Sequence, residues 1–148
     1  MENPLTERMV RNIVLTWYAS TNVHRPVEEL ECLLDEKVEM RYPNQAAPLI
    51  GKAAFRTWYA DVLDRYFDET HEVESWNIDL DGRNASAVVI VRWEARSWRR
   101  GEARSRYEAH LSRQRFGIER SEADGRARIT LKFVETFEKT APIMEAWR

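Results

Sequence analysis

The chain contains a single cysteine among its 148 residues, which excludes an intrachain disulfide. Cys32 sits beside Leu30, Leu33 and Leu34, and these neighbours predict a small buried apolar side chain rather than a nucleophile. Paired cysteines and a His-x-x-x-His pattern are absent. His24, His71 and His110 lie too far apart in sequence for metal-ligand spacing, so no metal site is expected. Glycine is scarce, and the five present read as turn residues or breakers. Neither a Gly-rich phosphate loop nor a Gly-x-Ser-x-Gly elbow occurs, which leaves nucleotide cofactors and serine-hydrolase chemistry without support; no cofactor is expected. Long apolar runs are missing too. No stretch approaches the roughly 18 residues that span a bilayer, and Met-Glu-Asn-Pro at the N-terminus lacks a basic start followed by an apolar run, so a cytoplasmic protein is expected. Charge of one sign is also lacking. Lys and Arg number 23 against 25 Asp and Glu, a net charge of −2 that predicts neither nucleic acid nor membrane as partner.

What is present is an ordinary globular composition. Hydrophobic residues make up 43% and charged residues 32%, enough apolar side chain to build a core, and the length fits a single domain spanning 1–148. From Thr6 to Ala19, Met9, Val10, Ile13, Val14 and Trp17 recur at helical spacing, with Thr6 placed to cap the helix. Pro26 suits the first position of a second helix with Leu30, Leu33 and Leu34 as its apolar stripe. Val38 to Tyr42 reads as a short strand stopped by Pro43. Ala53 to Phe67 carries Phe55, Trp58, Tyr59, Val62, Leu63 and Tyr66 at helical intervals, an aromatic stripe that faces a core.

After Glu72 the period changes to two. Trp76, Ile78 and Leu80 alternate before an Asp81-Gly82 turn; strands follow at Ala85–Trp98, Arg104–Phe116 and Ala127–Glu138, with a polar loop expected over Gly117–Asp124. Helices first and antiparallel strands last imply an α+β class. The architecture this predicts is a cone-shaped barrel: a curved, mostly antiparallel sheet wrapped around the N-terminal helices, with an interior pocket.

This order of elements resembles the nuclear transport factor 2-like superfamily, also called SnoaL-like and including ketosteroid isomerase. The most specific part is Leu33-Leu34-Asp35-Glu36-Lys37-Val38-Glu39-Met40-Arg41-Tyr42-Pro43 followed by Gly51-Lys52-Ala53-Ala54-Phe55. The superfamily hosts isomerases, dehydratases, epoxide hydrolases, polyketide cyclases, transport factors and dioxygenase subunits, so the likeness implies a pocket and leaves the chemistry open. Set on the isomerase pattern, Tyr18 falls where a tyrosine donates a hydrogen bond to the developing oxyanion. Tyr42 takes the place of the general-base aspartate, and Ser112 falls near a second oxyanion donor. A tyrosine of ordinary pKa does not serve as base at neutral pH, which argues against steroid isomerisation. The epoxide-hydrolase Asp–Arg–Asp group is not recognisable. The resemblance also implies a homodimer through the outer sheet face, with Trp98 as a contact.

Tyr18, Tyr42, His110 and Glu135 are the candidate catalytic residues. His110, Ser112, Gln114 and Phe116 share one strand face and Tyr107, Ala109 and Leu111 the other; either is inward, and in the first case a lone histidine enters the pocket. Glu135 interrupts the alternation Ile129, Leu131, Phe133, Phe137, and on a buried face it needs a partner such as Arg92 or Arg96. The expected ligand-binding residues are Trp17, Phe55, Trp58, Tyr59, Ser112 and Gln114. Arg92, Glu94 and Arg96 with Arg104, Arg106 and Glu108 read as a cross-strand charged surface. Two functions follow as expectations: acid–base chemistry of the isomerase, dehydratase or cyclase kind on a small hydrophobic carbonyl compound, or a non-catalytic binding or dimeric interaction domain whose own Trp and Tyr side chains fill the cavity.

Overall fold

The computed structural model describes residues 3–140 and 144–145; Met1 and Glu2 of the N-terminal stretch read above lie outside them. Helix α1 (Glu7–Asn22) begins where Thr6 Oγ1 accepts a hydrogen bond from the Met9 amide at 3.2 Å, and it buries Val10, Ile13, Val14, Trp17, Tyr18 and Thr21 along one face. Helix α2 (Val27–Glu31) starts after Pro26 and is shorter than its leucines predict. The chain leaves it because the Leu33 carbonyl accepts from the Ile129 amide at 2.8 Å, which draws Leu34 into strand β1 (Leu34–Arg41). Cys32 therefore falls on the connecting turn and is exposed, correcting the expectation that it is buried. Strand β2 (Leu49–Ile50), unforeseen in the sequence, leads into α3 (Gly51–Arg65), which buries Phe55, Tyr59 and Val62.

Strand β3 (Tyr66–Asp81) starts directly where α3 stops, ten residues before the expected alternation at Trp76. It turns through Gly82, at φ +60°, into β4 (Asn84–Ser97). Strand β5 (Arg106–Arg120) continues past Phe116, so Gly117 is a strand residue and not the start of a loop. Strand β6 (Ala127–Val134) ends four residues early. The chain then crosses to form β7 (Glu138–Lys139) against His110 and Leu111; β8 (Met144–Glu145) also pairs with β5.

The sheet runs β2-β1-β6-β5-β4-β3, with β1 and β6 parallel and the other pairs antiparallel. It is curved but unclosed, so the α+β class and cone shape hold without a barrel seam. Helix α1 packs on β3 and β6, and α3 on β1, so the concave face is roofed by helices.

Three irregularities set which side chains reach that hollow. On β3 the pairing shifts between Phe67 and Thr70, where Asp68 adopts φ 52°, and again between Val73 and Ser75. On β6 it shifts so that Ile118 faces Ile129 but Gly117 faces Leu131, leaving Thr130 as the extra residue. An extra residue reverses the inward phase of everything beyond it. Glu69, His71 and Val73 thus face the helices before the second shift, as do Trp76 and Ile78 after it; on β6, Ile129 is buried and then Lys132 and Val134. Gly117 is the residue the bulge requires opposite it, since a Cβ there would stand 3.0 Å from Thr130 Oγ1 and 3.1 Å from Leu131 Cβ.

Candidate functional site

Between the helices and the concave sheet face lies a cavity of about 220 Å³. That is more than the roughly 150 Å³ that accommodates one benzene ring and less than the roughly 300 Å³ at which drug-sized pockets begin. Its walls are aromatic: Trp17 from α1, Trp58 and Tyr59 from α3, Tyr42 after β1, and Tyr66, Trp93 and Phe137 from the far side. The hollow stays open between these rings, so the Trp and Tyr side chains line it without filling it.

Its polar groups form two clusters. In the first, His71 Nδ1 lies 2.6 Å from Asn22 Oδ1. A carboxamide oxygen only accepts, so the proton sits on Nδ1 and Nε2 is left with a bare lone pair. Burial, joined by the charge of Lys132, lowers His71 to about 3, and the ring is neutral at physiological pH. Tyr18 stacks on it at 4.7 Å between ring centroids. Lys132 lies 5% exposed, with Nζ 5.0 Å from the ring centre of Tyr42, 5.9 Å from Trp17 and 6.0 Å from Tyr18. Burial lowers the amine to about 8, Glu69 acting in the opposite sense. In the second cluster Glu69 is buried and doubly held: Oε2 accepts from His24 Nε2 at 2.7 Å and Oε1 from Trp93 Nε1 at 3.2 Å. His24 and Asp68, the two non-glycine residues at positive φ among those described, both flank this carboxylate.

Of the residues singled out in the sequence, Tyr42, Trp17, Trp58, Tyr59 and Gln114 border the cavity. Tyr42 stacks on Trp58 at 4.5 Å, and among the described residues its O–H meets only the weak acceptor Met40 Sδ at 3.7 Å. Burial pushes that phenol far up, so it stays protonated. Tyr18 and Ser112 stand one layer behind in a relay: Tyr18 O–H donates to Gln114 Oε1 at 2.5 Å, Gln114 Nε2 to Ser112 Oγ at 3.1 Å, and Ser112 Oγ to the Thr136 carbonyl at 2.7 Å. Burial, with Tyr42 adding to it, raises Tyr18 as well. Phe55 also lies behind the wall, against Trp17, Trp58 and Tyr59.

His110 is on the inward face, yet it does not border the cavity. Phe137 covers its ring at 3.9 Å and Trp93 stacks at 5.4 Å; Nε2 meets Glu108 Oε1 at 3.2 Å, while Nδ1 is buried with no partner among the described residues. Glu108 consequently shares His110's face and is not part of the outer charged surface expected from the sequence. Glu135 lies past the β6 bulge, outside the cavity wall. Its partners are Arg113 at 3.2 Å and Arg115 at 3.6 Å; the expected Arg92 pairs with Glu74 instead. His71, Lys132 and Glu69 were not found from the sequence, and each lies on a strand whose phase a bulge reverses. Among the described residues no group of His, Cys, Asp and Glu gathers to hold a metal, and no helix is long and apolar enough to cross a membrane.

No family model and no curated protein sequence matches the chain. Solved structures do. A ketosteroid isomerase-like protein from Erwinia carotovora atroseptica superposes with a TM-score of 0.71 at 12% identity, over 93% of this chain and 100% of that one. A type 2 hexachlorocyclohexane dehydrochlorinase gives 0.73 at 12% identity, over 95% and 92%. An NTF2-like protein with a cystatin-like fold from Novosphingobium aromaticivorans gives 0.62 at 16% identity, over 85% and 78%. At such identities the likeness is one of fold. The chain therefore shares the fold of these NTF2-like and ketosteroid isomerase-like structures.

Proposed function

We propose that the cavity binds a small hydrophobic carbonyl compound of about one ring and acts on it by acid–base catalysis, in a reaction of the isomerase, dehydratase or cyclase kind. The observation that carries this reading is Lys132: a buried amine at about 8 that opens onto the cavity beside a tyrosine whose O–H is held only by a weak sulfur acceptor among the described residues. Magnitudes divide the roles. His71, held near 3, is neutral throughout the working range, so its Nε2 accepts a hydrogen bond from a ligand hydroxyl or enol and does not carry the proton. Tyr42 keeps its proton, and as a donor it suits the carbonyl oxygen, where negative charge develops. Lys132 exchanges the proton and, as ammonium, steadies the enolate. Tyr18 acts through Gln114, and His110 and Glu135 take no part.

The names of two structurally similar proteins, an isomerase-like protein and a dehydrochlorinase, support an enzyme reading. The volume argues against a four-ring steroid. The test is proton–deuterium exchange next to the carbonyl of one-ring ketones, followed by NMR. Exchange roughly 100-fold above buffer is expected, rising with pH through about 8 and lost in Lys132→Met. Exchange at the buffer rate across the whole panel, or equal rates in wild type and variant, sinks the catalytic reading; stabilisation by the ketones without exchange leaves a binding protein.

A further inference from the structure

We propose that Lys132 goes beyond proton exchange and forms an imine with an aldehyde or ketone bound in the cavity. This rests on the cavity and the ligand class proposed above, and it names a covalent step at the same site.

The geometry isolates the amine. Among the described residues Lys132 Nζ has no hydrogen-bond acceptor and no carboxylate within ion-pair distance; its neighbours at 5.0 to 6.0 Å are ring faces, and the side chain opens onto the cavity. Glu69, the carboxylate on the cavity wall, is already held by His24 and Trp93. The other three lysines differ: Lys37 and Lys139 are exposed, and Lys52 pairs with Glu36 at 3.1 Å. A surface ammonium keeps its hydration and its proton, whereas a lysine desolvated in an apolar pocket is the form that attacks carbonyl carbon. With burial lowering Lys132 to about 8, roughly a tenth of the molecules present the free amine at neutral pH.

The step balances without a co-reactant. The nitrogen lone pair bonds to the carbonyl carbon while the C=O π pair moves onto oxygen, where the Tyr42 O–H can meet it. One N–H proton passes to that oxygen, giving the carbinolamine. The second leaves with the hydroxyl as water as the C=N bond forms, so both amine hydrogens and the carbonyl oxygen depart together. Protonated, the imine draws electrons from the neighbouring carbon and acidifies its C–H, which serves the exchange proposed for this site.

The experiment is reductive trapping. The intact protein is incubated with equimolar benzaldehyde or phenylacetone and sodium cyanoborohydride, and adducts are located by intact mass and peptide mapping. A single adduct is expected on Lys132, favoured about tenfold or more over Lys37, Lys52 and Lys139, which act as internal controls, and abolished by Lys132→Arg. A thermal melt by circular dichroism verifies that the variant is folded. Labelling spread over the surface lysines, equal labelling of Lys132→Arg, or no adduct at all overturns the proposal. Carbonyl-dependent exchange without an adduct removes the covalent step alone, while exchange that survives Lys132→Met removes the acid–base role.

Discussion

Tyr18 and Gln114, 96 residues apart in the chain, share a buried hydrogen bond of 2.5 Å that ties α1 to the concave face of the sheet. It is the first link of a relay continuing through Ser112 to the Thr136 carbonyl, and Gln114 is the member that borders the cavity. Tyr18→Phe removes the donor from the buried Gln114 oxygen and is expected to cost about 1–3 kcal/mol of stability. The double variant Tyr18→Phe with Gln114→Leu is expected to cost less than the sum of the single changes, by about 1 kcal/mol. Urea denaturation of the four proteins measures this, and strict additivity would show that the pair is not coupled.

Lys132 carries a pH signature of its own. Its unfolded-state value is near 10.5 and its folded value about 8. Below pH 8 both states are charged and the folded state bears the full cost of a buried ammonium. Between about 8 and 10.5 the unfolded chain binds the proton more readily, so native stability rises with pH. Lys132→Met removes both the cost and the slope. The variant is expected to be more stable at pH 7 by up to roughly 3 kcal/mol, the advantage shrinking toward pH 10.5. Denaturant midpoints across that range test it; a variant less stable than wild type at pH 7 contradicts it.

The histidine stacked on Tyr18 gives a slope of the same sign at lower pH. With His71 at about 3 in the fold and 6.5 when unfolded, nothing is contributed above pH 6.5. As pH falls from 6.5 toward 3 the unfolded chain takes up a proton that the native ring refuses, and stability declines by about 1.4 kcal/mol per pH unit. In the native protein, ¹⁵N NMR of the imidazole at pH 5 is expected to show a neutral ring protonated on Nδ1. An imidazolium spectrum at that pH would rule out the Asn22-oriented neutral form.

Much of the fold was legible because its signals are local. The α1 face from Val10 to Trp17, the Thr6 cap, the α3 stripe and the alternation from Ala85 to Ala95 each follow from a constant period. The cavity's aromatic wall was legible for the same reason, since Trp17, Trp58 and Tyr59 sit on helices whose phase does not slip. The polar half was not. Projecting inward phase from Trp76 and Ile78 back along β3 puts Glu72 and Glu74 inside and His71 outside; projecting it from Ile129 along β6 puts Glu135 inside and Lys132 outside. The extra residues at Glu74 and Thr130 invert both readings, and a strand shift of this kind depends on the partner strand rather than on the residues themselves. Gly117, facing the second bulge, was the available clue, and it reads equally well as a turn.

Thr130 has a wider implication for how such a chain diversifies. Were the bulge smoothed by taking that residue into the ladder, Leu131 and Phe133 would turn toward the hollow and Lys132 would stand in water; deleting Thr130 would instead leave Lys132 inward, opposite Phe116. The chemistry of the interior is therefore governed at this point by strand register as well as by residue identity. A slip of one residue in the pairing would exchange an amine-bearing chamber for a greasy one with no change in the side chains the strand carries. Descendants of such a chain can gain or lose a reactive group through changes on the partner strand that decide whether the bulge forms.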